Sequence, residues 1–433
     1  MRPRGRGPDA MSDALAYDIQ NSAVLMVVLT FLGLYPVVSA GLWVVTAVLY
    51  RVRRETPEDY EDVPEADGSH PEDLPFISII IPAYCEEKVI GRAIRGCLRM
   101  DYPNKEIIVV DDGSTDATAA EVVPYMDSGQ VCLLRKRENE GKAMATNDAI
   151  AIANGELVLV MDADAYPDRD LLRYMVRHFR WPRVAAVTGN PRVANRVSVL
   201  SKIQALEFSS TVSLMRRAQR VWGRIMTISG IVGLFRKDAL IDAGLYSPDM
   251  ATEDIDMTWK LQKRWYDVRY EPRAIVWMQV PAGLRSLYAQ RSRWARGLGQ
   301  VLRRHADVFT DWRWRRMYPV FLEATLSIIW AALYAVLSLA YVVTYYIDPP
   351  PVGANPLPLL WGVLLATVSL LQLGAGVLMD RRYDPGMVRL YILAPLYPLI
   401  YWLFLTVTTF VNTPRGLLGR KDTVSLWNIE REG

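Results

Sequence analysis

Four long apolar blocks constrain the fold of this chain more than any other feature. They span residues 22–50, 317–347, 356–379 and 388–412, and the 51% of apolar residues in the 433-residue chain are concentrated there. Each is long enough to cross a bilayer as a helix, which takes about 20 apolar residues. The long stretch between the first two blocks has ordinary globular composition. The sequence therefore predicts a membrane protein with one large globular domain between the first and second apolar blocks.

The residues around the first block predict on which side of the membrane this domain lies. The block is too long for the apolar region of a signal peptide, and no small-residue cleavage pattern follows it. Arginines at positions 51, 53 and 54 come next and favour the cytoplasm, although the tail at 1–21 also opens with three arginines. The three cysteines, Cys85, Cys97 and Cys132, lack metal-ligand spacing and are predicted to be reduced cytoplasmic thiols.

An acidic, proline-containing linker at 51–75 is expected to lead into a domain at 76–310. Three continuous apolar runs in this domain are predicted to be buried strands: "FISIIIPAY" (76–84), "EIIVVDDGS" (106–114) and "GELVLVMDAD" (155–164). Helix-like stretches at 88–100 and 115–127 lie between them. This alternation predicts a parallel sheet covered on both faces, with ligands bound at the carboxyl ends of the strands.

Polar side chains follow each predicted strand at that edge. They are Tyr84, Glu86 and Glu87 after the first strand, Asp111 and Asp112 after the second, and Asp162 and Asp164 after the third. Clustered carboxylates repel one another unless a cation lies between them, so a shared crevice predicts a cationic ligand. The alternative for "DDGSTD" is a turn with a helix cap, since Ser114, Thr115 and Asp116 all cap well.

The "DAD" motif at 162–164 places two carboxylates on alternate residues where a buried strand ends. Mg²⁺ or Mn²⁺ takes oxygen ligands and completes its shell with water and phosphate, so the motif predicts a divalent metal site; the alternative is a solvated turn. Lys142 follows a glycine at an expected helix start and suits a diphosphate, or is an ordinary exposed lysine. The chain contains neither a P-loop nor a dinucleotide fingerprint, so ATPase and dinucleotide chemistry are not indicated.

A third acidic group occurs in "MATEDIDMTWKLQ", residues 250–262, at an expected helix start. Asp254 is the candidate general base, because a carboxylate beside an acceptor hydroxyl can take its proton as the new bond forms. The alternative is structural: Thr252 caps the helix, and Glu253 and Asp254 interact with its dipole.

These motifs occur in the order found in processive family 2 glycosyltransferases, which the chain resembles over roughly residues 75–350. The residues that carry the resemblance are "IIIPAYCEE", "VVDDGSTD", "NEGKAMATN", "DAD", "TED" and "QRSRW". The stretches "VAAVTGNPRVANRVSVLSKIQALEFSS" and "ISGIVGLFRKDAL" are similar to the bacterial poly-β-1,6-N-acetylglucosamine synthases of biofilm systems.

The resemblance implies a Rossmann-like GT-A domain joined to a helical transmembrane region, and it implies roles for the candidate residues. Tyr84, Glu86 and Asp112 would line the uridine pocket, Lys142 would approach the diphosphate, and Asp162 with Asp164 would hold the metal. Asp254 would be the base, with Glu253 beside it. In "QRSRW", Gln290 and Trp294 would contact the acceptor sugar and Arg293 would face the diphosphate. The alternative for this segment is binding of anionic lipid, a role also expected of Arg291, Arg296 and Arg303.

The implied activity is metal-dependent, inverting polymerisation of N-acetylglucosamine from UDP-GlcNAc, with export of the growing polysaccharide across the bacterial inner membrane. A small membrane accessory subunit is an expected partner and nucleic acid is not. The alternatives are synthesis of another β-linked polymer (chitin-like, hyaluronan-like or β-glucan) and transfer of one sugar to a lipid phosphate. A catalytically silent channel or nucleotide sensor would be expected to lack the metal and base carboxylates, which are all present.

The C-terminal tail, residues 413–433, raises a question of topology. Three full spans after a cytoplasmic domain would place the tail outside, whereas Arg415, Arg420 and Lys421 favour the inside. In related synthases a segment with a basic residue and a tryptophan closes over UDP, and Lys421 with Trp427 could do so here. That requires one C-terminal block to be re-entrant, and 388–412, interrupted by Pro395 and Pro398, is the best candidate. Otherwise the tail lies outside and has no catalytic part.

Overall fold

The structure, a computed structural model, describes residues 23–55, 74–127, 129–347 and 357–419. Within these residues an α/β unit lies between one apolar N-terminal helix and a C-terminal group of apolar helices. The suggested gating residues Lys421 and Trp427, the N-terminal tail and most of the expected acidic linker lie outside the described residues.

Eight strands form a single sheet in the α/β unit. They are β1 (Ile77–Ala83), β2 (Lys105–Asp111), β3 (Val131–Arg135), β4 (Leu157–Met161), β5 (Tyr166–Pro167), β6 (Val184–Val193), β7 (Val232–Arg236) and β8 (Asp267–Met278). Their order is β3-β2-β1-β4-β7-β6-β8-β5. The three strands predicted from apolar runs are β1, β2 and β4, which are neighbours.

The sheet is mixed: strands β7 and β5 run opposite to the other six, and β6 pairs with β8 in parallel, so the prediction of a parallel sheet was correct only in part. Strands β3, β2, β1 and β4 are mutually parallel. Strand β7 runs antiparallel to both β4 and β6, and β5 runs antiparallel to β8. An apolar run reports that a strand is buried on both faces, but it does not report the direction of the neighbouring strand.

Helices cover both faces of this sheet. The helices of the unit are α2 (Ile90–Arg99), α3 (Thr118–Met126), α4 (Lys142–Ile152), α5 (Leu171–Val176), α6 (Val199–Glu207), α7 (Met215–Trp222), α8 (Lys237–Asp242) and α9 (Glu253–Lys263); α1 (Ala23–Arg54) precedes the sheet and α10 (Leu284–Arg304) follows it. A π-helical segment, Phe208–Leu214, joins α6 to α7. Ile79 and Ile81 of β1 enter the core on one face and Ile80 enters the core on the other, as the alternation of a strand requires.

Three helices in the described residues are long and apolar enough to cross a membrane: α1, α11 (Tyr318–Ile347) and α12 (Leu357–Asp380). Helix α1 continues through Arg54, so residues 51–54 of the expected linker are helical. The fourth apolar block is broken into α13 (Met387–Leu390), a 3₁₀ turn (Tyr391–Leu393), a π-helical segment (Tyr397–Tyr401) and α14 (Trp402–Leu418). Its two halves meet at a bend of 56°.

Both ends of this broken segment contact the α/β unit. Met387 packs in the same buried cluster as Ile203 of α6. At the other end, the carbonyl oxygen of Gly419 accepts a hydrogen bond of 2.5 Å from Arg303 of α10. The preceding helix α12 also ends at this unit, where Asp380 forms buried salt bridges with Arg192 (2.6 Å) and Arg217 (2.9 Å).

Two glycines allow α10 and α14 to pack with their backbones nearly in contact. A Cβ atom on Gly416 would lie 2.0 Å from the carbonyl oxygen of Arg296, and one on Gly299 would lie 2.5 Å from the carbonyl oxygen of Thr413. Small residues at helix crossings permit this approach in membrane proteins. The helix that carries "QRSRW" therefore rests directly on the last described helix.

Gly416→Ala is expected to destabilise the protein, because the new methyl group overlaps a backbone oxygen and the helices must separate. Overpacking of this kind costs about 1–3 kcal/mol, which a fall in the thermal unfolding midpoint of the purified protein would report. Gly41→Ala in α1 is the control, since a Cβ there meets nothing within 4 Å. An unchanged midpoint for Gly416→Ala would contradict the close helix contact.

Candidate active site

The first part of the site lies where β1 and β2 end. The fully buried carboxylate of Asp112 accepts hydrogen bonds from the backbone N–H groups of Glu140 (3.1 Å) and Gly141 (2.8 Å). Burial raises the pKa of Asp112, while these two hydrogen bonds and the Lys136 ammonium, 3.7 Å away, oppose that rise. Asp112 thereby fixes the loop that leads into α4.

The polar residues of "DDGSTD" bind the neighbouring loop, and Asp116 also contacts the start of α3. The N–H of Cys85 donates to Ser114 Oγ (2.9 Å), and the N–H of Glu87 donates to Asp116 Oδ2 (3.2 Å). Helix α3 begins after Ala117, which makes no side-chain cap hydrogen bond. Asp116 Oδ1 nevertheless accepts a hydrogen bond from the N–H of Thr118, the first residue of α3 (3.0 Å), as the alternative of a turn with a helix cap requires. The motif also holds the loop after β1, where Tyr84 is half-buried and Glu86 is buried.

Lys142 is the centre of the charged cluster. Its ammonium lies 2.5 Å from Asp162 Oδ1 and 3.4 Å from Glu253 Oε1, and it donates to the carbonyl of Gly230 (3.1 Å). Burial alone lowers the pKa of Lys142, but the carboxylates of Asp162 and Glu253 outweigh burial, so its pKa is raised and the side chain stays charged. The side chain is 12% exposed, which excludes an ordinary surface lysine.

Gly141 makes this placement possible. It has a φ of 86°, a conformation that favours glycine, and Lys142 is the first residue of α4 after it. The same glycine donates to Asp112, so the end of β2 is connected to Lys142 through one backbone turn.

Glu253 and Asp254 open helix α9 and face the same cluster. Asp254 Oδ2 accepts a hydrogen bond from the N–H of Gly230 (2.9 Å). The loop that carries Gly230 is held by Thr188 of β6, which accepts from the N–H of Ser229, and by Thr258 of α9, which accepts from the N–H of Ile228. A Cβ on Gly230 would lie 3.1 Å from Lys142 Nζ and 3.2 Å from Asp254 Oδ2, so only glycine fits there without displacing them.

The pKa of Asp254 is raised to about 6, first by burial and then by the adjacent charge of Glu253, against the opposing effects of Lys142 and two backbone hydrogen bonds. A carboxylate with a pKa close to neutrality is well suited to accept a proton in catalysis. The third acidic residue of this helix has a different function: Asp256 is buried and bonds to His305 (3.0 Å) and Ser247 (2.7 Å), away from Lys142.

Asp162 and Asp164 occupy a tight turn after β4, closed by a hydrogen bond from the N–H of Ala165 to the carbonyl of Asp162 (3.1 Å). No group of three or more His, Cys, Asp or Glu side chains in the described ranges is arranged to hold a metal ion. Two carboxylates nevertheless fit a hard divalent cation whose remaining ligands are water and phosphate oxygens. The Lys142 ammonium on Asp162 shows that this position attracts a cation.

Helix α10 approaches the cluster through the backbone of Ala251. Arg293 donates to the Ala251 carbonyl (3.0 Å), and Gln300 accepts from the Ala251 N–H (2.9 Å). A Cβ on Gly297 would lie 2.4 Å from Thr252, so the helix and this segment are in direct contact. Arg293 thus contacts the backbone of Ala251, two residues before Glu253.

The other two residues of the motif are half-buried on α10. Trp294 packs against a buried cluster that Ile231, next to Gly230, also contacts. The lipid-binding role expected of Arg291 was wrong, because this residue is 7% exposed and is paired with Glu207 at 2.5 Å. Helical geometry turns Arg291 inward on the same face as Trp294, three residues later.

Contacts therefore join five of the predicted residues into one chain: Asp112, Lys142, Asp162, Glu253 and Asp254. Sequence reasoning missed Lys136, Gly230 and Gln300 as members of the surrounding network. The glycine within "ISGIVG" was a usable signal, since an isolated glycine before a strand indicates close backbone approach. Lys136 and Gln300 carry no such signal, because their partners lie far away in the sequence.

A mixed α/β sheet whose strand ends gather carboxylates and a lysine, with a helix and apolar segments packed beside them, has the architecture of a GT-A-like glycosyltransferase. Residues 78–244 match the family model described as glycosyl transferase family 2. Together with the full-length similarity that follows, this shows that the chain belongs to that family, and the predicted family and fold class are confirmed.

The chain is 32% identical over 417 residues to the poly-beta-1,6-N-acetyl-D-glucosamine synthase of Staphylococcus aureus strain COL, covering 93% of this chain and 98% of that protein. The synthase of the same name from Staphylococcus epidermidis is 31% identical over 420 residues, covering 94% and 99%. Among solved structures, the mannosyltransferase PcManGT from Pyrobaculum calidifontis, in complex with GDP-Man and Mn2+, has a TM-score of 0.56 at 23% identity. The match covers 86% of this chain and 99% of the mannosyltransferase chain, and this structural similarity shows the fold.

Proposed function

We propose that this protein is a membrane-embedded, processive and inverting glycosyltransferase that polymerises N-acetylglucosamine from UDP-GlcNAc into a β-1,6-linked chain. The observation that carries the proposal is the Lys142–Asp162–Glu253–Asp254 cluster at the ends of the strands, held in place by the helix that bears "QRSRW". The identity of the sugar rests on the full-length similarity to proteins named poly-beta-1,6-N-acetyl-D-glucosamine synthase.

In this proposal Asp254 is the general base. It takes the proton from the 6-hydroxyl of the acceptor sugar while that oxygen attacks the anomeric carbon of the donor from the face opposite UDP. The Gly230 N–H fixes one carboxylate oxygen and so orients the base. Glu253 beside it keeps the pKa of Asp254 high enough for efficient proton transfer.

Tyr84, Glu86 and Asp112 would line the uridine site, and Lys142 would move from Asp162 toward the diphosphate. Asp162 and Asp164 would hold Mg²⁺ or Mn²⁺, which offsets the negative charge of the leaving diphosphate when bound. Arg293 would leave the Ala251 carbonyl to contact the same group, while Gln290 and Trp294 receive the acceptor. A tryptophan offers a flat apolar surface that suits a pyranose ring.

We propose that the α/β unit lies in the bacterial cytoplasm and that the polymer leaves through the apolar helices of the inner membrane. Because both ends of the segment from Met387 to Gly419 contact the α/β unit, we infer that this segment is re-entrant rather than spanning. The tail with Lys421 and Trp427 would then begin on the side of the nucleotide site. A small accessory membrane subunit remains an expected partner.

The test is to incubate the purified full-length protein with single radiolabelled UDP-sugars, with and without Mg²⁺ or Mn²⁺, and to digest the product with linkage-specific hydrolases. We expect metal-dependent polymer from UDP-GlcNAc that only a β-1,6-N-acetylglucosaminidase degrades. Polymer from UDP-glucose alone, or a short lipid-linked product, would refute the assignment.

The fall of the transfer rate at low pH, the acid limb of the pH–rate profile, should reflect protonation of Asp254. The ionised carboxylate is the active form, so transfer is expected to fall about tenfold per pH unit below the pKa of about 6 and to level off above it. Glu253→Gln removes a neighbouring negative charge, lowers the pKa of Asp254 and should move this limb to lower pH. Rates at saturating donor measure the limb, with UDP binding determined at each pH. A limb that does not move in Glu253→Gln would contradict the assignment.

A further inference from the structure

Next to Gln290, the motif contains an arginine to which the proposed chemistry assigns no role. Arg291 is 7% exposed, and its Nη2 donates to Glu207 Oε2 at 2.5 Å and to the hydroxyl of Tyr401 at 3.0 Å. The Tyr401 hydroxyl in turn donates to the same oxygen of Glu207 at 2.9 Å. These three buried side chains form a closed triangle, which we call the Arg291 triangle.

The Arg291 triangle joins three separate parts of the fold. Glu207 is the last residue of α6, where the π-helical segment begins. Arg291 lies on α10, and Tyr401 ends the π-helical segment that leads into α14. Irregular helical turns of this kind are frequent at functional sites, and here two of them meet at one arginine.

The guanidinium of Arg291 also lies over the indole ring of Trp294, 4.3 Å from its centroid. Residues three apart on a helix share a face, so the arginine and the tryptophan can stack without distortion. A planar guanidinium suits this contact better than an ammonium, because it can stack on the ring and still donate at its edge. A buried arginine is stable only when it is paired, which Glu207 and Tyr401 ensure.

We propose that Arg291 is a positioning residue for the acceptor: held by Glu207 and Tyr401, it stacks behind Trp294 and fixes the indole plane on which the acceptor sugar binds. This inference rests on the proposed role of Trp294. It predicts an effect on acceptor binding, with donor binding left unchanged, because the Arg291 triangle touches none of the residues around Lys142.

The chain offers a matched control at another arginine, which is partly buried. Arg273 of β8 pairs with buried Glu271 at 2.7 Å and lies over the ring of Tyr174, 5.0 Å from its centroid. Arg273→Lys therefore keeps the charge and removes a stacked guanidinium, as Arg291→Lys does, but away from α10.

The experiment uses the full chain in lipid nanodiscs at saturating UDP-GlcNAc, with a β-1,6-linked N-acetylglucosamine oligosaccharide added as acceptor. For Arg291→Lys we expect the KM for this acceptor to rise about tenfold, within the range of a partly desolvated cation–π contact. The KM for the donor and the kcat at saturating acceptor are expected to stay within about twofold of the wild-type values. Tyr401→Phe loses the hydrogen bond to Glu207 and the one from Arg291, and it should raise the acceptor KM about threefold.

Equal acceptor KM values for Arg291→Lys and Arg273→Lys would overturn the inference, as would a parallel rise in the KM for the donor. Calorimetric titration with UDP present, using β-1,6-N-acetylglucosamine, chitin and cello-oligosaccharides, separates this outcome from failure of the proposed function. If the protein binds a different oligosaccharide and that binding still weakens in Arg291→Lys, the sugar assignment fails and the positioning role stands. If no oligosaccharide binds to the wild-type protein, the positioning role fails as well.

Discussion

Asp254→Asn is expected to reduce polymer synthesis about a thousandfold, within the range that a positioned general base contributes. Asparagine has nearly the same shape, and its side-chain oxygen can still accept the hydrogen bond from the Gly230 N–H, so the loop geometry should survive. The amide cannot take a proton from the acceptor hydroxyl. The initial rate of incorporation from radiolabelled UDP-GlcNAc measures the loss, and calorimetric titration with UDP is expected to give wild-type affinity.

Asp242→Asn provides the control for this result. Asp242 ends α8 and forms an exposed salt bridge with Arg264, so its removal changes the net charge by the same amount at a distance from the cluster. Its activity should remain within about twofold of wild type, since surface substitutions are nearly neutral. If Asp254→Asn retained comparable activity, another group would have to be the base.

Asp162→Asn is expected to reduce transfer about a hundredfold, because a divalent cation at a departing diphosphate is worth several kcal/mol. Two effects combine here: the cation loses a carboxylate ligand, and Lys142 loses its partner at 2.5 Å. The concentration of Mn²⁺ needed for half-maximal activity should therefore rise together with the loss of rate. A titration of rate against Mn²⁺ at saturating donor measures both.

Asp170→Asn is the matched control for the metal site. It lies after β5, directly before α5, and among the described residues its ion pair is with Arg173, at 3.8 Å. We expect its Mn²⁺ dependence to match that of the wild-type protein. If the rate for Asp162→Asn fell without any change in Mn²⁺ dependence, Asp162 would pair with Lys142 but would not bind the metal.

Much of the candidate site could be predicted because its residues follow strands that are adjacent and parallel. The apolar runs that became β1, β2 and β4 end at one edge of the sheet, so Asp112 and Asp162 had to lie near one another. The same reasoning failed for Asp111. This carboxylate turns back to accept from the N–H of Ser114 and lies 3.5 Å from Arg135, because neighbouring residues at a strand end point to opposite faces.

The arrangement of the C-terminal segment was predictable only in outline. Pro395 and Pro398 indicated an interruption, and the structure bends there by 56°. The packing of the two halves of this segment against the rest of the protein could not be predicted, because it depends on contacts between residues far apart in the sequence. The most important are the glycine contacts that bring α14 against α10.

By itself the sequence determined the class of the protein, the position of its apolar segments and the order of its charged motifs. Burial, periodicity and residue spacing are local properties, so they can be inferred from residues that are close together in the sequence. Only the tertiary structure decided which charges neutralise one another. It placed Lys142 among three acidic residues from two distant parts of the chain, and it turned Arg291 inward to Glu207 while Arg293, two positions later, reached Ala251. Two arginines separated by one residue on a helix point to nearly opposite sides, and the packing around that helix selects the partner of each.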